Sequence, residues 1–281
     1  MLHIITDSTV DMPSDWKEKY NIHILPMSIV FGSKTYLDGV DISSKNFYDI
    51  VKQTGIIPIT ECPSPGQWSD LIRKIARKGD DVLTLHLSSK LSGSFNSAKI
   101  AAQELKDEFN VIPFDSLSGS TSIGYMCREA RELDRLDAKF DTILKRLDFI
   151  RKNLLICFTL GSLDFARVSG RYNALKNALV SIVKINPTVY LQADGSLKVE
   201  GISRTLKNGT NRMADSLRER FGGRMLNIGI MYARDPEPAI NFWENIKNTI
   251  NFKEWIMTDI GITIASHIGP GSVGLMVYPI E

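Results

Sequence analysis

The sequence has few of the features that mark disulfide-stabilised, metal-binding or nucleic-acid-binding proteins. Its three cysteines, Cys62, Cys127 and Cys157, lie far apart, so neither a disulfide framework nor a metal-ligand cluster is predicted. There are 34 basic and 32 acidic residues, a net charge of +2, which is too small to attract nucleic acid or an anionic membrane by charge alone. The composition therefore favours a small or neutral ligand.

Segments for export or membrane insertion are also missing from the sequence. No apolar run approaches the length of about 18 residues that a transmembrane helix requires. Asp7 interrupts the stretch in which a secretory signal would need its apolar core. We therefore expect a cytoplasmic protein without stable membrane insertion.

The common enzyme motifs do not occur. The chain has no P-loop, dinucleotide-binding fingerprint, HExxH motif or zinc-spaced Cys/His set. Ser92 lacks the glycine two residues before it that a G-x-S-x-G nucleophile elbow requires. Together these absences argue against a self-contained hydrolase, kinase or dehydrogenase, and no metal or cofactor is predicted.

The length and apolar content favour two domains with a cleft between them. The chain has 281 residues, of which 43% are hydrophobic, and single domains most often contain about 100 to 150 residues. Strands and helices alternate over residues 1–150, which predicts a mostly parallel α/β sheet domain. Residues 151–281 contain more hairpins and predict an α+β domain.

The predicted elements follow from apolar periodicity and turn residues. Strands are expected at 2–6, within 22–37, at 81–87, 111–116 and 154–160, twice within 188–203, at 225–233, within 255–264 and at 273–278. Helices are expected after residue 43 or 44, from residue 65 behind a serine cap, from about residue 95, and at 141–153, 173–183 and around 240–250.

Three of the N-terminal strands end in hydroxyl or acidic residues. These ends are 7–9 (Asp-Ser-Thr), 88–92, which contains three serines, and 115–116 (Asp-Ser). The carboxyl ends of parallel strands meet at one edge of a sheet, which is the usual ligand edge. These side chains could instead cap helices and order loops, and for residues 7, 8, 115 and 116 the capping interpretation is favoured.

Six segments give the chain a resemblance to a known family. They occur in the order and spacing of the DegV family and span nearly the whole chain. The segments are ITDSTVDMP (5–13), PITECPSPGQW (58–68), LSSKLSGSFNSA (87–98), FDS (114–116), VSGRYNAL (168–175) and HIGPGSVG (267–274).

The resemblance implies a bacterial protein that binds a long-chain fatty acid and is not itself catalytic. It is similar to the lipid-binding subunit of fatty acid kinase. In that family the acyl chain lies buried between the two domains. A separate catalytic subunit uses ATP to phosphorylate the carboxyl group, and the acyl-phosphate enters phospholipid synthesis. The implied partners are thus a long-chain fatty acid and a fatty acid kinase catalytic subunit.

The resemblance also implies which residues meet the carboxyl group. The family's threonine corresponds to Thr60, and the first serine of its SGT motif corresponds to Ser92, followed by Gly93. A buried carboxyl group needs hydrogen-bond partners, because leaving it unpaired costs several kcal/mol. A turn or capping role remains the alternative for Ser92.

Three cationic or potentially cationic residues complete the implied ligand-binding set. Arg171 and His267 match family positions near the head group, and Arg204 lies at the end of a hairpin strand. Taken alone, such arginines are more often solvated, and a histidine beside a Gly-Pro turn is more often structural.

The sequence departs from the family pattern at two places. Glu61 and Cys62 replace the usual Ser-Gln after Thr60, which puts a potential negative charge beside the implied carboxyl site. We expect Glu61 to point outward. The usual Gly-Gly-Arg is Ser-Gly-Arg here, at residues 169–171.

Two alternative functions remain open. The first is an acyl hydrolase with Ser92 as nucleophile and His267 as base, although neither an elbow nor a third member is visible. The second is a carrier of another small amphiphile with no kinase partner. The sequence does not indicate the preferred acyl chain length or unsaturation.

Overall fold

The computed structural model describes residues 1–170 and 185–281. The first elements are β1 (Leu2–Asp7), α1 (Trp16–Lys19), β2 (Ile22–Leu25), β3 (Ser28–Phe31), β4 (Lys34–Leu37), α2 (Ser44–Thr54), β5 (Ile59–Glu61), α3 (Pro65–Ile75), β6 (Asp81–His86), α4 (Ser94–Glu104), β7 (Asn110–Asp115), α5 (Thr121–Asp134) and α6 (Phe140–Asn153). They are followed by β8 (Leu155–Thr159), α7 (Leu163–Ser169), β9 (Asn186–Leu191), β10 (Leu197–Ser203), α8 (Leu206–Phe221), β11 (Met225–Tyr232), α9 (Glu237–Ile246), β12 (Asn251–Asp259), α10 (Ile262–Ile268) and β13 (Val273–Pro279). The predicted helix at 173–183 lies outside the described residues.

A four-stranded parallel sheet organises the N-terminal half. Its strand order is β2-β1-β6-β7, and every neighbouring pair is parallel. Helices α3 and α4 pack on one face through a cluster that includes Trp68, Ile72 and Leu105, while α5 contacts β1 and β6. The three strand ends rich in hydroxyl and acidic residues therefore lie at the same edge of this sheet.

The start of α3 shows how the sequence sets a helix boundary. Ser64 is the N-cap, and its hydroxyl oxygen accepts a hydrogen bond from Gln67 N at 3.3 Å. Pro65 occupies the first helical position, where its missing N–H costs nothing. Trp68 and Ile72, four residues apart, are both buried. The predicted helix start is confirmed.

A small antiparallel sheet, with the strand order β4-β3-β5, lies beside the parallel one. Strands β3 and β4 are joined at Gly32, whose φ of 60° is readily adopted only by glycine. Strand β5 pairs Thr60 with Ile29. This pairing fixes the position of Thr60.

The C-terminal half is built on a six-stranded mixed sheet with the order β10-β9-β8-β13-β11-β12. Only β11 and β12 are parallel, and the other neighbours are antiparallel. Phe158, Gly274 and Met231 lie side by side in register across β8, β13 and β11. The parallel sheet of the N-terminal half and the mixed sheet of the C-terminal half confirm the predicted α/β fold with a two-domain layout.

Helix α5 joins the two halves. The Tyr125 hydroxyl donates to Ile228 O at 3.0 Å. A Cβ at Gly229 would lie 2.6 Å from Thr121 Oγ1, so the helix can approach β11 this closely only because residue 229 is glycine. Buried residues of both halves form one continuous hydrophobic cluster. The predicted boundary between residues 150 and 151 falls inside α6 and stays a prediction.

The strand predicted within 255–264 ends earlier than expected. Strand β12 stops at Asp259, and α10 begins at Ile262. The backbone N–H of Gly261 donates to Asp11 Oδ1 at 2.7 Å, and Thr263 N donates to Asp38 Oδ2 at 3.3 Å. These long-range hydrogen bonds satisfy amides at the start of a helix, which local apolar spacing could not indicate.

Arg128 on α5 provides a test of how the two halves are joined. Its side chain is 5% exposed, pairs with Glu254 of β12 and lies over the Trp16 and Tyr125 rings. We expect Arg128→Ala to lower the free energy of unfolding by about 2–3 kcal/mol, because charged hydrogen bonds and packing are lost together. Urea denaturation measures this change.

The matched control is Arg218→Ala, since Arg218 pairs with Asp215 on the exposed side of α8. It should cost about 0–1 kcal/mol. Equal losses in the two variants would show that the Arg128 contact does not hold the halves together.

Candidate functional site

A cavity of about 540 Å³ lies between the two halves of the chain. This volume falls within the range of about 300–1,000 Å³ that is usual for small-molecule sites. Its wall is mainly apolar, as most ligand pockets are. The apolar lining residues are Met27, Leu87, Leu91, Ile156, Phe158, Leu191, Leu197, Met231, Ile260, Ile264 and Ile268.

The polar part of the wall is small, and its members come from separate elements. The polar lining residues are Thr60, Glu61, Cys62, Ser92, Ser118, Ser120, Thr263 and His267. Among the described residues no lysine or arginine lines this cavity. A ligand there would be held mainly by apolar contact, with a few hydrogen-bonding groups fixing its orientation.

Strand β5, α10 and the loop before α4 meet at one part of the wall. Thr60 Oγ1 lies 3.1 Å from His267 Nε2. The backbone of Gly93 approaches Cys62 so closely that a Cβ at residue 93 would lie 3.2 Å from Cys62 Sγ. Ser92 precedes Gly93 and also lines the cavity. We call Thr60, Cys62, Ser92, Gly93 and His267 the polar cluster.

The loop that carries Ser92 is held by hydrogen bonds on both sides. Ser92 N donates to Ser88 O at 3.0 Å, and Ser92 Oγ accepts from Ser94 N at 3.2 Å. Ser88 Oγ donates to Gly195 O at 2.8 Å, on the turn between β9 and β10. Gly195 has φ of +82°, and a Cβ there would lie 2.2 Å from Ser88 Oγ, so this contact between the halves requires glycine.

A buried hydrogen-bond chain fixes the first residue of α4. Ser94 Oγ donates to Asp7 Oδ2 and lies 3.2 Å from His86 Nδ1. Burial lowers the pKa of His86 to about 3, so its imidazole is neutral, and its Nε2 lies 2.7 Å from Thr84 Oγ1. Burial also raises the pKa of Asp7. None of these four residues lines the cavity, so these hydrogen bonds act on the site only by fixing the start of α4, which follows Ser92 and Gly93.

Four of the six sequence-predicted ligand residues line this one cavity. They are Thr60, Ser92, Gly93 and His267. Arg204 is exposed at the end of β10 and is not among the lining residues. Arg171 lies outside the described residues.

Glu61 follows Thr60 of the polar cluster in β5. Its side chain is exposed, whereas that of the preceding Thr60 is half-buried. Successive side chains of a strand point to opposite faces, which explains how β5 turns Thr60 inward and Glu61 outward. Glu61 still contributes to the cavity lining.

The predicted set did not include the hydroxyl residues on the other wall. Ser118 and Ser120 follow β7, and Thr263 lies in the first turn of α10. The serine-rich stretch at 115–122 has the same strand-to-helix pattern as 87–98 and could have identified the two serines. No local pattern distinguishes Thr263.

Residues 1–170 and 185–281 contain neither a metal-binding cluster nor a membrane-spanning helix. No group of three or more His, Cys, Asp or Glu side chains there could hold a metal ion. No helix in the same part of the chain combines the length and apolar character needed to cross a bilayer.

Comparison with known proteins gives similar chains of nearly equal length. Protein DegV of Bacillus subtilis is 28% identical over 274 residues, which are 97% of each chain. A DegV domain-containing protein of Staphylococcus aureus is 29% identical over 279 residues, covering 98% of this chain and 97% of that protein.

Solved structures share the whole fold. A Thermus thermophilus DegV family protein, described as fatty acid binding, superposes with a TM-score of 0.90 at 26% identity and covers 99% of both chains. Bacillus subtilis DegV, described as a fatty acid binding protein, gives 0.87 at 26% with the same coverage. A stearic acid-binding protein of Eubacterium ventriosum gives 0.87 at 25%, over 99% of this chain and 98% of that one.

A family model described as "uncharacterised protein, DegV family" matches residues 1–280. With this match over almost the entire length, the chain belongs to the DegV family.

Proposed function

We propose that this protein binds a long-chain fatty acid in the cavity and presents its carboxyl group to a separate fatty acid kinase for acyl-phosphate formation. The observation that carries the proposal is the composition of the cavity wall: eleven apolar residues and one polar cluster around Thr60, Ser92 and His267. The fatty acids bound by similar DegV structures support the same ligand class.

The apolar wall suits an acyl chain. Each methylene buried from water contributes about 0.8 kcal/mol. A long chain therefore supplies most of the binding free energy without any directional contact, and its affinity depends on how well the cavity accommodates its length. The polar cluster needs only to orient one end.

The polar cluster suits a carboxyl group. Ser92 Oγ already accepts from Ser94 N, and its own hydroxyl hydrogen has no acceptor among the described residues, so it can donate to the ligand. The Thr60 hydroxyl can donate to the carboxylate while its oxygen accepts from His267 Nε2–H. The amino-terminal end of α4 lies beside Ser92, and helix amino termini favour negative charge.

Arg171 and Arg204 remain in the proposal as predictions from the sequence. Arg171 would complete the head-group set with His267, near the end of the ligand that a kinase has to reach. Arg204, exposed beyond β10, would act from outside the cavity lining. No cofactor of this protein takes part in the proposed reaction. The separate kinase supplies the phosphoryl group from its own ATP.

The ligand retained by the purified protein provides a first test of the proposed function. We expect the protein purified from bacteria to retain a fatty acid, because returning a long apolar chain from an apolar cavity to water is unfavourable. Mass spectrometry of the denatured protein should detect about one long-chain acid per chain. A lipid-free protein that takes up no fatty acid at micromolar concentration contradicts the proposal, and ester turnover would instead favour the hydrolase alternative.

The second prediction concerns the polar cluster. Ser92→Ala and Thr60→Val should each weaken fatty acid binding by about 1–3 kcal/mol, because a buried carboxyl group loses a hydrogen bond. Calorimetry on delipidated protein measures the change. Ser89→Ala is a suitable control, since Ser89 lies in the same loop but does not line the cavity. If the double variant binds as the wild type does, the carboxyl group lies elsewhere.

The third prediction separates holding the lipid from transferring phosphate. Phosphorylation concentrates negative charge at the carboxyl end, and a cationic or potentially cationic group there acts mainly on that step. Arg171→Ala and His267→Ala should therefore reduce acyl-phosphate formation by an added fatty acid kinase more than they reduce lipid retention. Bound lipid per chain and ATP-dependent phosphorylation are measured in parallel. Equal proportional losses would make both residues simple ligand anchors.

A further inference from the structure

Asp11 is a buried carboxyl group that the proposed function does not use. It is 4% exposed and lies directly behind the cavity wall. Its Oδ1 accepts from Gly261 N at 2.7 Å, and its Oδ2 accepts from the hydroxyl of Ser120, which lines the cavity. Asp11 forms no ion pair within the described part of the chain.

The hydroxyl of Ser120 has two neighbours that can receive its single hydrogen. One is Asp11 Oδ2, and the other is the thioether sulfur of Met231 at 3.0 Å. Met231 also lines the cavity, and its Sδ lies 3.3 Å from Thr121 Oγ1. The end of the Met231 side chain lies over Gly274, since a Cβ there would be 2.8 Å from Met231 Cε.

The hydrogen-bonding groups around Asp11 have partners in both of its protonation states. When Asp11 is ionised, Ser120 donates to it. When Asp11 carries the proton on Oδ2, that proton goes to Ser120 Oγ, and Ser120 then donates to Met231 Sδ. No buried polar group loses its partner in either arrangement, so the change between them is inexpensive.

We propose that Asp11 and Ser120 form a proton-linked element of the cavity wall, through which binding of a fatty acid is coupled to proton uptake by Asp11. The inference rests on the proposed function, because the ligand it invokes is the fatty acid. An acyl chain next to Ser120 and Met231 replaces solvent with hydrocarbon, and its carboxylate adds a negative charge. Both effects favour the neutral form of Asp11.

Burial and the neighbouring negative charges also favour the neutral form of Asp11. Burial, together with the carboxylates of Asp38 and Asp259, raises the pKa of Asp11 to about 7, against the opposing hydrogen bonds from Ser120 and Gly261. The neighbouring Asp38 carboxylate itself lies close enough to Asp7 to feel its charge. His267 is the titratable side chain on α10, the helix whose start contacts Asp11.

The coupling to Asp11 determines how the affinity for fatty acid changes with pH. If the bound state holds the Asp11 proton more tightly, affinity is highest below the pKa of the free protein and falls as pH rises through it. One linked proton changes affinity by at most about tenfold per pH unit. The pH dependence should therefore lie around neutrality and level off on the acid side.

Calorimetry with oleic acid on the delipidated full chain tests the coupling. Titrations in two buffers of different ionisation enthalpy at about pH 7 give the number of protons taken up per ligand. We expect net uptake by the wild type and a smaller uptake by Asp11→Asn, with His267 and the ligand carboxyl unchanged in both. Asp49→Asn, an exposed aspartate on α2, is the matched control and should behave as the wild type does.

Asp11→Asn also mimics the protonated state, because its amide N–H₂ can donate to Ser120 while its oxygen accepts from Gly261. Its affinity at about pH 8 should therefore match that of the wild type at about pH 6. If Asp11→Asn does not fold, Ser120→Ala replaces it. Removing a hydrogen bond to the ionised form raises the pKa of Asp11, so maximal proton uptake should move to higher pH.

The outcomes are distinct. Equal proton uptake by the wild type and Asp11→Asn, or an unmoved maximum in Ser120→Ala, overturns the coupling while fatty acid binding stands. A wild type that binds no oleic acid at any pH overturns both proposals.

Discussion

The start of α10 is held by carboxylates from the opposite half of the chain, and the site depends on this attachment. Gly261 N donates to Asp11, while Thr263 donates to Asp38 through both its amide and its hydroxyl, the latter at 2.6 Å. Ser8 also donates to Asp38, at 2.9 Å. Because α10 carries His267 and three other lining residues, these bonds set one wall of the cavity relative to the parallel sheet.

The carboxylates that accept these bonds are buried at an energetic cost. Burial raises the pKa of Asp38, as it does that of Asp11, so both carboxylates would be more stable in water. A buried carboxylate is tolerated where several donors converge on it. The donors from Gly261 and Thr263 thus offset part of the cost of burying these two carboxylates, and in return they attach α10 to the N-terminal half.

Much of the fold could be predicted from the sequence, because the relevant signals are local. Apolar strands with short polar breaks gave β1, β6 and β7, and the cap at Ser64 gave the start of α3. Helices α5, α7, α8 and α10 were not predicted. For α10 the reason is physical, since it begins where Asp11, some 250 residues away, accepts its first amide. Local spacing carries no information about such a contact.

The candidate site was also predictable only in part from the sequence. Thr60, Ser92, Gly93 and His267 were found through motifs that resemble a family, and all four line the cavity. Ser120 and Met231 belong to separate elements that only the packing of α5 on the C-terminal sheet brings together. Sequence reasoning identifies residues that share a motif, whereas residues that share a wall require the fold.

The three thiols differ sharply in accessibility. Cys127 and Cys157 are fully buried, and burial raises the pKa of both, which keeps them as unreactive thiols at neutral pH. Cys62 is half-buried and lines the cavity against Gly93. A small thiol reagent therefore has one preferred target in this protein, located at the polar cluster, and its rate of attachment gives a direct measure of whether that part of the cavity is occupied.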